Sequence, residues 1–373
     1  MYDVHDFLEP VNVAAINGDN GYNDAQFANN ISIYENELPH LSDVDIVIAG
    51  VNEQRGEGIK TPGTSSGAIR KELYALHYWH TDVKIADLGD IKTGATLQDT
   101  YAAVKAVLAE IFRLKKTFIL FGGSHDITLA QYFVFKELNQ MAEATVIDAA
   151  IDLQGELSLR SRNFLMEMLT SEPNFVKHYN HIGFQSYFVH PRMLETMDKL
   201  HFDCYRAGVV KENIEEMEPV IRNTNLLSLD MCALKNSDAP ASAMPNGLTG
   251  EEACTLARYA GMSPALNTFG IYGYRAENDI RNLTAKQIAQ ILWYFIDGKS
   301  RSRQEAFFED KHNFNEYNTA FAEVDTLFLQ SKKTGRWWME LPDKKMIACS
   351  YKDYLQASSN EIPERWLRAQ ERS

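Results

Sequence analysis

Along the chain, short apolar runs alternate with amphipathic stretches. The runs are Asp45-Ile-Val-Ile-Ala-Gly50, Val83-Lys-Ile-Ala-Asp-Leu-Gly89, Thr117-Phe-Ile-Leu-Phe-Gly-Gly123, Thr145-Val-Ile-Asp148, His181-Ile-Gly-Phe184, Cys204 to Gly208, Leu226-Leu-Ser-Leu-Asp230 and Thr268-Phe-Gly-Ile-Tyr-Gly273. Most are near-continuous and rich in Val, Ile, Leu and Phe, which predicts strands buried on both faces of a parallel sheet. Between them the apolar period lengthens to that of helices. Thr96-Leu-Gln-Asp99 reads as a capping box, opening a helix whose apolar face is Ala103, Val104, Val107, Leu108, Ile111 and Phe112. Thr249-Gly-Glu-Glu252 predicts a second capped helix that stops at Gly261, and Thr284-Ala-Lys-Gln287 a third that ends at Asp297-Gly298. Strands alternating with capped helices predict an α/β fold, a three-layer, doubly wound and mainly parallel sheet.

The flanks read differently. Residues 1–41 are polar and Asn-rich, a leader packed on the surface or partly mobile. The α/β pattern fills 42–300. Residues 301–373 form a C-terminal extension, in which Thr326-Leu-Phe-Leu-Gln330 and Arg336-Trp-Trp-Met-Glu340 predict antiparallel strands joined through Lys-Lys-Thr-Gly. Three of the five tryptophans (Trp337, Trp338 and Trp366) lie there, so the extension is expected to pack on the core or on a neighbouring subunit.

Composition narrows the functions. The chain has 373 residues, 45% hydrophobic and 24% charged, with net charge -14, an acidic surface that disfavours nucleic acid and anionic membrane as partners. No run of about 18 apolar residues predicts a membrane span. The start, Met1-Tyr-Asp-Val-His-Asp-Phe, lacks the pattern of a secretory signal, and four scattered cysteines without a CxxC fit reduced thiols in a cytoplasm.

The chemistry collects where strands end. Open parallel sheets put ligands at the strand C-termini. Gly122-Gly-Ser-His-Asp126, Asp148-Ala-Ala-Ile-Asp152, Ser228-Leu-Asp-Met-Cys232 and Gly273-Tyr-Arg-Ala-Glu-Asn-Asp279 all follow predicted strands, so His125, Asp148, Asp152 and Asp230 are candidates to converge. Buried carboxylates need a cation, and one imidazole with three carboxylates suits manganese, zinc or iron. Ser124, His125 and Asp126 are not a hydrolytic triad, because adjacent side chains diverge. The Gly-Gly pair lacks the Lys-Ser/Thr of a phosphate loop. The loop Val51 to Gly67, with four glycines and a proline, is long enough to be functional.

These motifs resemble the ureohydrolase family of arginase, agmatinase and formimidoylglutamase over roughly residues 42–300. The family's Gly-Gly-Asp-His-Ser, Asp-Ala-His-x-Asp and Ser-x-Asp-x-Asp match Gly122–Asp126, Asp148–Asp152 and Ser228–Cys232 in order. Pro62-Gly-Thr with Ile69-Arg70, Asp87-Leu-Gly-Asp90 and Asn246-Gly-Leu-Thr-Gly-Glu251 resemble further landmarks, and Ile182-Gly-Phe-Gln-Ser186 is most similar to the formimidoylglutamase branch. The resemblance implies an arginase-like fold, a small-molecule substrate, a homo-oligomer and manganese. It also implies that His125, Asp148, Asp152 and Asp230 hold the first of two ions, with Asp148 and Asp230 bridging to the second and serving catalysis. The second ion's remaining ligands, a His and an Asp in the family, fall on Ala150 and Cys232. The family glutamate facing the substrate's cationic end is missing near Gly273 or Tyr274. The loop Leu153 to Asn163 departs from the usual substrate loop, leaving Arg162 and Gln185 as candidate substrate contacts. One ion is therefore expected rather than two. Two functions follow: a metal-dependent hydrolase of a linear amidine or guanidine C–N bond, formimidoylglutamate-like, or an impaired member that binds or regulates.

Overall fold

The computed structural model describes residues 4–17, 21–155, 157–306 and 308–372. Its strands are β1 (Leu8–Glu9), β2 (Ser32–Ile33), β3 (Ile46–Val51), β4 (Ile85–Ile91), β5 (Thr117–Phe121), β6 (Ala142–Ile147), β7 (Val176–Phe184), β8 (Asp203–Arg206), β9 (Leu226–Asp230), β10 (Thr268–Tyr272), β11 (Phe314–Phe321), β12 (Val324–Ser331), β13 (Trp337–Glu340) and β14 (Met346–Cys349). The first ten make one sheet in the order β1-β4-β3-β5-β10-β9-β6-β7-β8, with β2 beside β4. Every pairing is parallel except β1 with β4. The ends of β5, β10, β9 and β6 therefore lie side by side on one edge.

The continuous apolar runs are explained by two cores, one on each face. Successive side chains point to opposite faces of a strand. In β3, Ile46 and Ile48 enter one core while Val47, Ala49 and Val51 enter the other. In β5, Ile119 and Phe121 oppose Phe118 and Leu120 in the same way. The helices Leu97–Arg113, Ile127–Glu137 and Phe164–Thr170 cover the first face, and Ser65–Tyr74, Gly250–Gly261 and Leu283–Ser302 cover the second. Layers of helix, sheet and helix result.

Two of the three expected caps form: Thr96 with Asp99, and Thr249 with Glu252, each bond reciprocally. The third does not. The last core helix starts at Leu283, and the Asp279 carboxylate accepts from the backbone N–H groups of Thr284 and Ala285, both at 3.0 Å. The Thr284 hydroxyl instead accepts from Ala241 N–H. Nor does that helix stop at Gly298; it runs to Ser302. Gly298 and Gly261 lie where this helix crosses Gly250–Gly261, and a Cβ on either would strike backbone of the other helix.

The described part of 1–41 is packed: β1 and β2 extend the sheet, and Phe27 and Tyr34 are buried. In the extension, β11–β14 form a separate antiparallel sheet, in which β12 contains the first expected strand and β13 covers the second from Trp337 on. Trp337, Trp338 and Trp366 are all buried. Trp337 stacks on Tyr317 and Tyr354, Trp366 meets Phe321 edge-on, and the Arg222 guanidinium lies 4.6 Å from the Trp338 ring centroid. Glu218 joins core and extension: it accepts from Arg222 Nε at 3.0 Å and Arg336 Nε at 2.8 Å. The four cysteines are unpaired, and no helix among the described residues is long and apolar enough to cross a membrane.

A candidate metal centre at the strand ends

The loop after β3 is locked before it reaches the crevice. The Glu53 carboxylate accepts from Arg55 and Thr100, and Arg55 also bonds the carbonyls of Gly94, Ala95 and Thr96. Buried Arg70 makes two bonds to Asp87, at 2.8 and 2.9 Å, and also pairs with Asp90. The strand-end acids of β4 are thus spent on a guanidinium rather than offered to an ion.

His125 lies in the turn from β5 into its helix, Asp148 directly after β6, Asp152 four residues on, and Asp230 at the end of β9. The fold brings all four together. His125, 2% exposed, has Nδ1 2.9 Å from Asp152 Oδ2, 3.1 Å from Asp148 Oδ2 and 3.5 Å from Asp230 Oδ2. Despite this proximity, Nδ1 has no hydrogen-bond direction to any of them and stands as an unpartnered buried polar atom. Its other nitrogen, Nε2, lies 3.0 Å from Ser228 Oγ, which in turn lies 2.6 Å from Thr128 Oγ1. An imidazole held at Nε2 and aimed by Nδ1 between carboxylates has the arrangement of a metal ligand with its outer partner. Ligand atoms of His125, Asp148 and Asp230 lie within 4.8 Å of one another.

The charges fit a divalent cation as well. Burial would raise Asp148, but His125 at 3.1 Å outweighs it and holds it at about 2. Asp152 is pushed well up by burial and then by the charge of Asp148. Burial pushes Asp230 up to about 6, with Asp148 and Glu57 adding to the effect. Burial and mutual repulsion thus hold Asp152 and Asp230 back from ionising, a penalty that a divalent ion among them would relieve. Asp148 is further fixed by His181, whose Nε2 lies 3.1 Å from the Asp148 carbonyl while Nδ1 accepts from Tyr179. Burial pushes His181 down to about 4, so it stays neutral.

The neighbouring position is different. Ala150 presents only a methyl group, and its N–H donates to Asp148 Oδ1 at 3.2 Å. The Cys232 thiol donates to the same oxygen at 2.8 Å, and Cys232 N–H donates to Asp230 Oδ1 at 2.7 Å. Burial, and then the two carboxylates, push this thiol well up, so it is protonated.

The arginase family model matches residues 44–297. The chain belongs to the arginase family. No curated protein matches it in sequence. Formimidoylglutamase of Bacillus subtilis is similar in structure, with a TM-score of 0.66 at 18% identity over 76% of this chain and 96% of that one. Formiminoglutamase of Trypanosoma cruzi, solved with Mn2+, gives 0.63 at 18% over 71% and 99%. Proclavaminate amidino hydrolase of Streptomyces clavuligerus gives 0.60 at 19% over 71% and 96%.

In this arginase-family chain a cavity of about 530 Å³ opens above the cluster. Besides His125, Asp148, Asp152 and Asp230, its lining includes Glu57, Ala150, Gln154, Arg162, Cys232, Gly273, Arg275 and Asn278. Arg162 is exposed at the rim, in the loop after Asp152, of which Glu156 lies outside the described residues. Gln185 does not line the cavity: it is buried, and Nε2 donates to the Asn246 carbonyl at 2.7 Å, so its amide braces a loop instead of meeting a substrate. Gly273, at φ +74, can carry no side chain here, because a Cβ would fall 2.5 Å from Asp230 Oδ1. Tyr274 is buried and bonds Asp279. A carboxylate does line the cavity from another loop. Glu57, from the loop after β3, faces the cavity and accepts from Arg275 Nε at 2.9 Å. Glu57 and Arg275 are 218 residues apart, and no local pattern marks either; only their positions on loops following predicted strands hinted at a role.

Proposed function

We propose that the chain is an arginase-family, metal-dependent hydrolase of a small linear amidine, formimidoylglutamate-like, holding one manganese ion on His125, Asp148, Asp152 and Asp230. The observation that carries this reading is the unpartnered His125 Nδ1 facing three carboxylates. His125, Asp148, Asp152 and Asp230 would hold a divalent ion, whose Lewis acidity would lower the pKa of a water and polarise the amidine carbon. Asp148 and Asp230 face the cavity and are the candidates to accept the attacking water's proton. Glu57, paired with Arg275, is the cavity carboxylate placed toward a cationic amidine, and Arg162 at the rim suits a substrate carboxylate, as a fork-shaped guanidinium does. Water adds to the amidine carbon, the C–N bond breaks and the leaving amine takes a proton, so formimidoylglutamate would give glutamate and formamide.

A second reading is a binding or regulatory protein that keeps the crevice. It is favoured by Cys232, whose thiol occupies the Asp148 oxygen that a second ion would use. Metal content of the purified protein and release of amine, urea or formamide from formimidoylglutamate, arginine and agmatine with manganese separate the two. Slow turnover with one ion per chain supports the hydrolase. Turnover at ordinary rates, on the order of ten per second, would refute the single-ion form of it. An ion with no turnover favours the binding protein. We further propose that residues 42–300 form the catalytic domain and 301–373 an extension, in a cytoplasmic homo-oligomer, for which light scattering is the test.

A further inference from the structure

The crevice has a charged floor and an apolar wall. Leu159, Phe188 and Met244 all line the cavity, and Leu159 and Phe188 are 41% and 45% exposed. An open apolar wall beside a ligand cavity marks a place for an apolar part of the ligand. Local bonds hold this wall in shape. Phe188 N–H donates to the Gln185 carbonyl at 2.9 Å, and Tyr187 meets the Phe188 ring edge-on, 4.6 Å away between centroids. Gln185 Nε2 donates to the Asn246 carbonyl at 2.7 Å, which ties this turn to the loop that carries Met244. Leu159 comes from another loop and rests on the one after β3: a Cβ added to Gly58 would stand 3.3 Å from its Cδ2. Leu159 and Arg162 share one turn, closed by Arg162 N–H on the Leu159 carbonyl at 2.9 Å.

Cations are scarcer here than a dicarboxylate needs. Among the described residues, the cavity lining holds two guanidiniums, Arg162 and Arg275. Arg275 is taken up by Glu57, which accepts from its Nε at 2.9 Å. Arg162 is left for one ligand carboxylate, while Asp148, Asp152 and Asp230 on the floor repel a second. Resting on the amidine reading of the crevice, we propose that its substrate is the N-formimidoyl derivative of an apolar amino acid, of the leucine or phenylalanine class, rather than of glutamate itself. An amino acid bears its carboxylate and its side chain on one carbon, and Arg162 and Leu159 stand in one turn to receive them. Phe188 and Met244 cover the rest of the apolar group. A second carboxylate against this wall would lose water without gaining a cation, which is costly. The bond broken is the same amidine C–N bond: formamide still leaves, and the free apolar amino acid replaces glutamate as the other product.

Binding tests this apart from hydrolysis. The full-length protein with manganese is titrated calorimetrically with the N-amidino derivatives of phenylalanine, leucine, alanine and glutamate. Release of amino acid from the matching N-formimidoyl compounds is followed separately. The phenylalanine and leucine derivatives are expected to bind roughly tenfold tighter than that of glutamate, or more. Their heat-capacity change should grow more negative as the side chain enlarges. Phe188→Ala and Leu159→Ala should each shrink the preference, and Phe188→Leu should keep it. Phe188→Arg, which supplies a second cation, should turn it toward glutamate. The urea midpoint of each variant is the folding control. Equal or tighter binding of the glutamate derivative by the natural protein, no binding of any of the four, or an apolar preference that survives both alanine variants overturns the proposal. Hydrolysis of formimidoylglutamate with tighter binding of the glutamate derivative defeats this inference alone. An apolar preference in binding, with no formimidoyl compound hydrolysed, upholds the ligand class and defeats the hydrolase reading alone.

Discussion

Ser228→Ala isolates what holds the candidate ligand His125 in place. Ser228 is wholly buried in β9, with Oγ 3.0 Å from His125 Nε2. Alanine removes the acceptor and nothing else of size. The ring is packed against Phe164, 4.8 Å away between centroids, and Tyr272, which restrict its turning toward another acceptor. With an ion on Nδ1 the ring cannot rotate, and Nε2–H is stranded; without the ion it is free to seek a partner. The penalty therefore falls on the bound state. A buried unsatisfied donor costs about 1–3 kcal/mol. At about 1.4 kcal/mol per factor of ten, ion affinity should fall roughly 5- to 150-fold. That range brackets the roughly tenfold to hundredfold loss typical of outer metal partners. Competition against a chelator of known affinity measures it, with the urea midpoint of the metal-free protein as control. In a His125→Ala background the same substitution should change nothing further. An affinity within twofold of the natural protein, at unchanged stability, would refute the assignment of Nδ1 to the ion, as would an equal loss without the imidazole.

Glu218→Ala should cost about 3–5 kcal/mol in urea unfolding, because it takes from buried Arg222 its carboxylate and leaves Arg336 only the longer pair with Glu305; an unchanged midpoint would contradict the docking role of Glu218. Ala150→His with Cys232→Asp should raise manganese from one ion to two per chain and speed amidine hydrolysis at least tenfold; two ions with no gain in rate would place the remaining defect in the loop after Asp152. Stripping the ion with a chelator should lower stability, and restoring it at a hundred times its dissociation constant should return about 2.7 kcal/mol; identical melting of both forms would argue against ion binding at the cluster. The C-terminal helix Glu364–Glu371 is held through Asp203, where burial would raise the carboxyl but the His178 hydrogen bond and the Arg372 and Arg368 charges outweigh it and lower it. A lowered folded pKa gives stability that is present above the unfolded value, about 3.9, and lost as pH falls through the folded one. Protease should therefore release this helix only in strong acid, and release already at pH 5 would be inconsistent with the latch.

The central sheet was legible because strands buried on both faces, such as β3 and β5, have no polar side to interrupt their apolar runs. The convergence of His125, Asp148, Asp152 and Asp230 was legible because each follows a strand whose end lies on the same edge of the sheet. Other elements carry no such signal. β1 and β2 are two residues each, too short for any period. In β11, Phe-Asn-Glu-Tyr-Asn-Thr-Ala-Phe buries its two end phenylalanines and leaves polar residues between them, so it reads as a polar stretch until β12 pairs with it. The false cap at Thr284 shows a local rule losing to a partner outside the window: Asp279 reaches the helix N-terminus first, and the threonine serves Ala241. Gly298 fits the pattern of a helix stop, yet its lack of a side chain serves a helix crossing. Gln185 was sought in the cavity because it follows a strand, but its amide is bound to Asn246.

The substitutions at 150 and 232 remove ligand atoms without removing the backbone bonds that shape the crevice. Ala150 N–H still reaches Asp148 Oδ1, and Cys232 N–H still reaches Asp230 Oδ1, so each turn keeps its form with a methyl or a thiol at its tip. His181 fixes the Asp148 carbonyl, Ser228 fixes His125, and the backbone of Gly273 packs against the Asp230 carboxylate. None of these bonds needs an ion. His125, Asp148 and Asp230 are therefore held in place by the fold, and an ion entering on the His125 side would meet them with little rearrangement. On the other side the same bonds hold the Cys232 thiol against Asp148 Oδ1. The frame is thus kept whichever side chains stand at 150 and 232. For this reason the fold alone does not decide between hydrolysis and binding, and metal content measured beside turnover does.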